Sequence, residues 1–265
     1  MPTTAPGVLA NSTSHATDAA ASVGGDADIT WWKPAPGTSY QIQLNGKLDL
    51  ARKVKMYDID LYDTDAKVIS NLKIKGIKVV CYFSAGTYEN WRSDNNKFTK
   101  DMYSKGLPEW EGEYWLDTRN AKVREIMKAR IQLAKQKGCD GVDPDNVDAA
   151  FNDSGFPLTD ATQLDYNKFL ASTAHSLGLA VGLKNDLQQV TALASVFDFA
   201  VNEQCAAYNE CKMLQPFIKL NKAVFGIEYD GDKTKVCKAV NALNMDTLFK
   251  DLSLKSEYYS CREHL

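Results

Sequence analysis

The chain has 265 residues, 44% of them hydrophobic and 25% charged, an ordinary composition for a globular protein. Its formal charge of −3 comes without any Lys/Arg run, which argues against a nucleic-acid partner or an electrostatically held membrane surface. No apolar run approaches the roughly 18 residues that a membrane helix needs, so no membrane insertion is expected.

Residues 1–29 are rich in Ala, Ser, Thr and Gly and show no periodicity. Such a segment cannot bury enough surface to offset its ordering entropy, so it is expected to be a disordered low-complexity tail or linker. It lacks the apolar centre of a signal peptide. The folded domain is expected over residues 30–265. That length fits one α/β barrel, typically about 250 residues, although two small domains would also fit.

From Trp31 onward, short apolar runs alternate with amphipathic ones. The strand-like runs are Tyr40–Leu44, Met56–Asp63, Lys78–Ser84, Cys139–Asp145, Leu179–Asn185, Phe197–Glu203, Lys222–Tyr229 and Asp246–Leu252. Between the third and fourth lie a long polar and aromatic segment and then a helix. That helix sets Val123, Ile126, Met127, Arg130, Ile131 and Ala134 on one face and stops at Gly138. A similar helical pattern ends at Gly178. Eight strands separated by helices predict parallel β/α units and a single-domain (β/α)8 TIM barrel. A doubly wound open sheet is the alternative, but the glycine fingerprint of a dinucleotide site is missing after the first strand.

The six cysteines contain no CxxC pair, which argues against zinc ribbons and thioredoxin-like redox sites. Cys205 and Cys211 flank a short polar stretch, as a loop-closing disulfide would, and Cys237 with Cys261 could staple the last segment. Cys81 and Cys139 fall on neighbouring predicted strands, and their pairing is left open. With two N-x-S/T sequons, at Asn11 and Asn152, this cysteine usage points to a secreted, extracellular protein.

In a TIM barrel the catalytic groups sit at the C-terminal ends of the strands. Here those ends are polar: Asp60, Tyr82, Asp143, Asp145, Lys184, Asn185, Glu203 and Glu228. Alternation on the fourth strand turns Gly141, Asp143 and Asp145 to one face, with Asp145 at the mouth and Asp143 a layer deeper. The three histidines (His15, His175 and His264) lie in the tail, in a predicted helix and beside the C-terminus. That distribution leaves little for a Ser–His–Asp triad or a histidine-rich zinc site. The run "DPDNVD" departs from a calcium loop at its sixth and twelfth positions, which are Asp148 and Ser154. No metal and no cofactor are expected.

Paired carboxylates on one rim suit glycoside hydrolysis. Asp145 and Glu203 are two strands apart, and the apolar run before Glu203 is an environment that would raise the pKa of a general acid. The long segment after the third strand carries Trp91, Trp110, Trp115 and Asp117 and is the expected substrate-binding loop, with aromatic faces for sugar rings. Ordinary alternatives stand beside this: Glu203 as a structural ion-pair partner, and the aromatics as core.

The blocks "WWKPAPGTSYQIQL", "MYDIDLYDT", "VVCYFSAGTYENWR", "YWLDTRN", "GCDGVDPDNVDAA", "VGLKND", "VNEQC" and "GIEYDGD" together resemble glycoside hydrolase family 114, the endo-α-1,4-polygalactosaminidases. The resemblance runs from about Trp31 to the C-terminal region. It implies a (β/α)8 barrel cutting α-1,4-linked galactosamine polymers, with Asp145 and Glu203 as the catalytic pair. Analogy with α-galactosidase-like barrels makes Asp145 the nucleophile, Glu203 the acid/base and the outcome retention. Asp60, Tyr82, Trp91, Trp115, Asp117, Asp143, Lys184, Asn185 and Glu228 are then substrate-binding candidates. The expected partner is a cationic galactosamine polysaccharide, acted on by a monomer. Two other readings use the same residues: a carbohydrate-binding barrel without turnover, and a metal-dependent polysaccharide hydrolase or deacetylase.

Overall fold

The computed structural model describes residues 29–264, so the predicted tail lies outside the described residues except at its last position. Eight strands pair in parallel: β1 (Tyr40–Gln43), β2 (Met56–Asp60), β3 (Lys78–Ser84), β7 (Gly141–Asp145), β8 (Ala180–Lys184), β9 (Phe199–Glu203), β10 (Val224–Glu228) and β11 (Asp246–Phe249). A short antiparallel strand, β12 (Tyr259–Ser260), follows β11 at the end of the pairing order. The order is sequential, as short right-handed β/α connections dictate, and the curled sheet is the barrel that the eight runs predict. At the seam, Leu44 N donates to Leu254 O at 3.0 Å. The Lys250 ammonium donates there to Gln41 Oε1 and Ile42 O at 3.0 and 2.7 Å.

Period-2 alternation divides the buried residues into two layers. Inside the barrel, Ile42, Met56, Val80, Phe199, Phe225 and Ile227 form one apolar cluster. Outside, Tyr57, Phe83, Val142, Val181 and Val224 pack under the helices. Those helices include α1 (Ala66–Ile74), α2 (Ala121–Lys137) and α3 (Asp160–Ser176). The buried face of α2 is the six-residue stripe read from its periodicity, and Gly138 closes it at φ 92°, a conformation that favours glycine.

The segment after β3 differs from the expected loop. It forms a separate antiparallel sheet from β4 (Thr87–Glu89), β5 (Tyr103–Leu107) and β6 (Trp110–Leu116), in the order β4-β6-β5. Two buried arginines tie it to the barrel. Arg92 forks onto both Asp60 oxygens at 3.0 and 2.8 Å. Arg130, from α2, reaches Asp94 at 2.9 Å and the carbonyl of Ser84 at 2.7 Å. Gly86, at the start of the insertion, is obligatory: a Cβ there would lie 1.6 Å from the carbonyl oxygen of Asn146.

All six cysteines are paired, as Cys81–Cys139, Cys205–Cys211 and Cys237–Cys261. The first pair, left open by the sequence, ties β3 to the start of β7 across 58 residues. Closing a loop of that length in the unfolded chain is worth about 4 kcal/mol in the chain-entropy model. The variant with Cys81→Ala and Cys139→Ala together should therefore unfold at markedly lower urea concentration. An unchanged midpoint would mean that the bond contributes nothing.

Candidate active site

Three adjacent strands, β7, β8 and β9, end on the same rim with Asp145, Lys184 and Glu203. Each residue is the last of its strand and points inward by alternation. The Lys184 Nζ lies 2.9 Å from Asp145 Oδ1 and 3.0 Å from Glu203 Oε2. Two such contacts to one nitrogen keep those carboxylate oxygens within about 6 Å of each other. That spacing suits the roughly 5–5.5 Å of a retaining pair better than the 6.5–9.5 Å that admits a water.

Asp145 is the most tightly held group on the rim. Besides Lys184 it accepts from Tyr82 Oη at 2.7 Å and from its neighbour Asn146 N at 2.7 Å. Its own carbonyl accepts from Ala85 N and Gly86 N at 2.8 and 3.1 Å. Burial alone would raise its pKa. The Lys184 charge and these hydrogen bonds outweigh burial and hold the carboxyl below the usual aspartate range. Lys184 is held protonated in the same way, its pKa driven up by Asp145, Glu203 and Asp143 against the pull of burial.

Glu203 does not lie among the apolar residues that precede it. One oxygen contacts Lys184 and the other accepts from Tyr229 Oη. Its backbone N–H donates to Asn185 Oδ1 at 2.9 Å. Asn185 sits in the left-handed region at φ 50° and joins the ends of β8 and β9.

The other sequence candidates divide. Asp143 is completely buried beneath Asp145, and no N–H or O–H of the described residues donates to either of its oxygens. It faces Asp58, a residue the sequence reading passed over. Burial raises both carboxyls, Asp143 to about 7, and the neighbouring Asp143 raises Asp58 further. Asp60 is occupied by Arg92 and by the amides of Tyr62 and Asp63. Asp117 is paired with Arg119 at 2.8 Å. Trp91 is 52% exposed, whereas Trp115 is buried.

Glu228 turns to the outer face of β10 and accepts from Ala206 N and Ala207 N at 2.7 and 3.4 Å. It is Tyr229 that reaches Glu203. The alternation used for β7 would have found this: Phe225 and Ile227 face inward, so Tyr229 shares their parity and Glu228 does not. Cys205, Cys211 and Glu228 converge, but the sulfurs are joined in a disulfide and the carboxylate is engaged by amides.

Sequence reading also missed Glu113, on β6 inside what looked like a loop. Its Oε1 accepts from Thr87 Oγ1 and, at 3.2 Å, from Asn146 Nδ2. Asn146 Nδ2 also donates to Ser84 Oγ at 3.0 Å. The inserted sheet thereby pins the left-handed residue directly after Asp145 (φ 58°).

The model of glycoside-hydrolase family GH114 matches residues 23–265. The chain belongs to glycoside-hydrolase family GH114. It is 39% identical to Aspergillus fumigatus Ega3, solved in complex with galactosamine. That match covers 89% of this chain and all of the other, with a TM-score of 0.84. The glycoside hydrolase domain of PelA from Pseudomonas aeruginosa shares the fold at 13% identity and a TM-score of 0.67, over 84% of this chain and 98% of that one. A search of curated proteins gives no match. As a GH114 member the protein is a glycoside hydrolase.

The buried carboxyls set a pH dependence of stability. Burial raises Asp143 and Glu113 to about 7, Asp148 to about 6 and Asp186 to about 8. Each prefers its protonated form when folded. Its stabilisation is full below the ordinary carboxylate range and is lost as pH rises through the raised value. The lowered pKa of Asp94 and of Asp145 acts oppositely, costing stability as pH falls through the acid range. The Tm is therefore expected to peak near about pH 4 and to be at least roughly 5 °C lower at pH 8 than at pH 5. Asp143→Asn should flatten that slope. A Tm that rises from pH 5 to pH 8 would contradict the assignment.

Proposed function

We propose that the protein is an endo-acting hydrolase of α-1,4-linked galactosamine polymers, working with retention through Asp145 as nucleophile and Glu203 as acid/base. The observation that carries this reading is the single ammonium of Lys184 between two inward carboxylates. One positive charge balances one negative charge. A retaining enzyme needs its nucleophile ionised before the first step, and the Lys184 charge favours that form of Asp145.

In that step an Asp145 oxygen attacks the anomeric carbon, the C1–O bond breaks, and the Glu203 proton passes to the leaving oxygen. Glycosylation removes the charge of Asp145. Lys184 is then left with Glu203, now a carboxylate, which takes a proton from water as the hydroxyl reaches C1 and frees Asp145. The lysine thus stabilises whichever carboxylate is charged at each stage. Tyr82 and Asn146 fix the nucleophile, and Tyr229 orients the acid.

The substrate class rests on the relative solved with galactosamine and on the family resemblance. A mouth rich in carboxylates suits a polymer that carries one ammonium per sugar. Three disulfides suit an oxidising, extracellular setting. No helix among the described residues is long and apolar enough to cross a membrane.

Asp145→Asn and Glu203→Gln keep the shape of the site and remove the nucleophile and the acid. Each should depress release of reducing ends from soluble galactosamine oligomers by at least about a thousandfold while leaving oligomer binding nearly intact. Near-wild-type turnover in either variant would remove that residue from the mechanism. A wild-type protein that binds oligomers without releasing reducing ends would instead support the non-catalytic reading.

A further inference from the structure

The second sequon of the chain, Asn152, Asp153 and Ser154, lies in the loop that joins β7 to α3. Asn152 is exposed and follows a short helical turn, Ala149–Phe151, with extended backbone at φ −117° and ψ 162°. The residues after it are tied down. Asp153 accepts from the Lys105 ammonium of β5 at 2.6 and 2.7 Å. Gly155 stands at φ 77°, so close to β5 that a Cβ there would lie 2.4 Å from Ser104 Oγ. The loop is anchored against the insertion, and Asn152 stays in solvent.

The Asn152 carboxamide can carry a substituent without losing its place. Its nitrogen has two hydrogens. One serves the bond to the carbonyl of Asp148 at 3.1 Å, and N-linkage replaces only the other. Ser154 is the opposite case, at 2% exposed. Its N–H donates to Asn152 O at 2.8 Å, and its hydroxyl oxygen accepts from Phe156 N at 3.4 Å. The acceptor motif is defined by that hydroxyl, so the tripeptide can be read only before the loop closes.

We propose that Asn152 is a modification site carrying an N-linked oligosaccharide, added to the unfolded chain and held in solvent once the loop between β7 and α3 has formed. The proposal rests on the extracellular reading given above, since chains destined for that setting form their disulfides and receive such sugars before release. The donor is an oligosaccharide joined through a diphosphate to a lipid. Transfer forms a bond from Asn152 Nδ2 to the anomeric carbon and breaks the bond from that carbon to the diphosphate. The amide gives up one proton, and the lipid diphosphate leaves with the bonding electrons. Folding then buries Ser154 and leaves the sugar outside.

The test is site-resolved mass spectrometry of the full chain secreted from yeast behind a heterologous leader. Peptide N-glycosidase in ¹⁸O-water converts a glycosylated asparagine to labelled aspartate, so the peptide holding residue 152 is scored separately from the one holding Asn11. The greater part of the secreted protein should carry the label at 152. Asn152→Gln and Ser154→Ala should lose it, and Ser154→Thr should keep it. Sugar-free protein made in bacteria and folded should stay unmodified with purified oligosaccharyltransferase and lipid-linked donor, whereas the same chain reduced and unfolded should accept the sugar. Secreted protein with all three disulfides closed and residue 152 unlabelled would overturn the proposal. Modification of the folded chain would overturn the order of events. A chain that is retained in the cell, or released with free thiols, would overturn the extracellular reading and the proposal with it.

Discussion

The site depends on one buried cation. Lys184 is 6% exposed, and an ammonium taken that far out of water is stable only if its charge is answered at contact distance. Asp145 and Glu203 answer it at 2.9 and 3.0 Å. The same contacts fix the two carboxylates relative to each other, so the requirement that stabilises the lysine also sets their spacing. It can be met only because β7, β8 and β9 are sequential neighbours that end level, an outcome of parallel β/α topology.

The inserted sheet has a second task. Two arginines make it part of the barrel rather than a mobile cover: Arg92, in the insertion, pairs with Asp60 and Glu89, and Arg130, on α2, pairs with Asp94. From that base, Glu113, itself held by Thr87, reaches Asn146, the residue after Asp145. Gly86 lets the insertion's backbone close onto Asn146. Side chains held by packed neighbours rather than by loops keep their geometry.

What the sequence revealed and what it concealed follow from how local each signal is. Strands and helix ends are written in short patterns, so all eight barrel strands and the stops at Gly138 and Gly178 were legible. Asp145 and Glu203 were legible because each closes an apolar run at a fixed parity. The antiparallel insertion was not, because its strands carry few aliphatic residues and are joined by aromatic contacts, Tyr88 stacking on Tyr103 and Tyr114 meeting both at a tilt. Glu113 reaches Thr87 and Asn146, and Arg92 reaches Asp60, across more than twenty residues, a separation that no local pattern encodes. The bond between Cys81 and Cys139 was left open because adjacency of their strands was a topological expectation, not yet a distance.

The central claim is that Lys184 holds two carboxylates close enough for Asp145 to attack the sugar directly. The most direct test is proton NMR of a galactosamine oligomer in the first minutes of hydrolysis, before mutarotation mixes the anomers. The account predicts that the new reducing end appears first as the α anomer, the configuration of the bond that was cut. A first-formed β anomer would mean that water attacks in place of Asp145, and would contradict it.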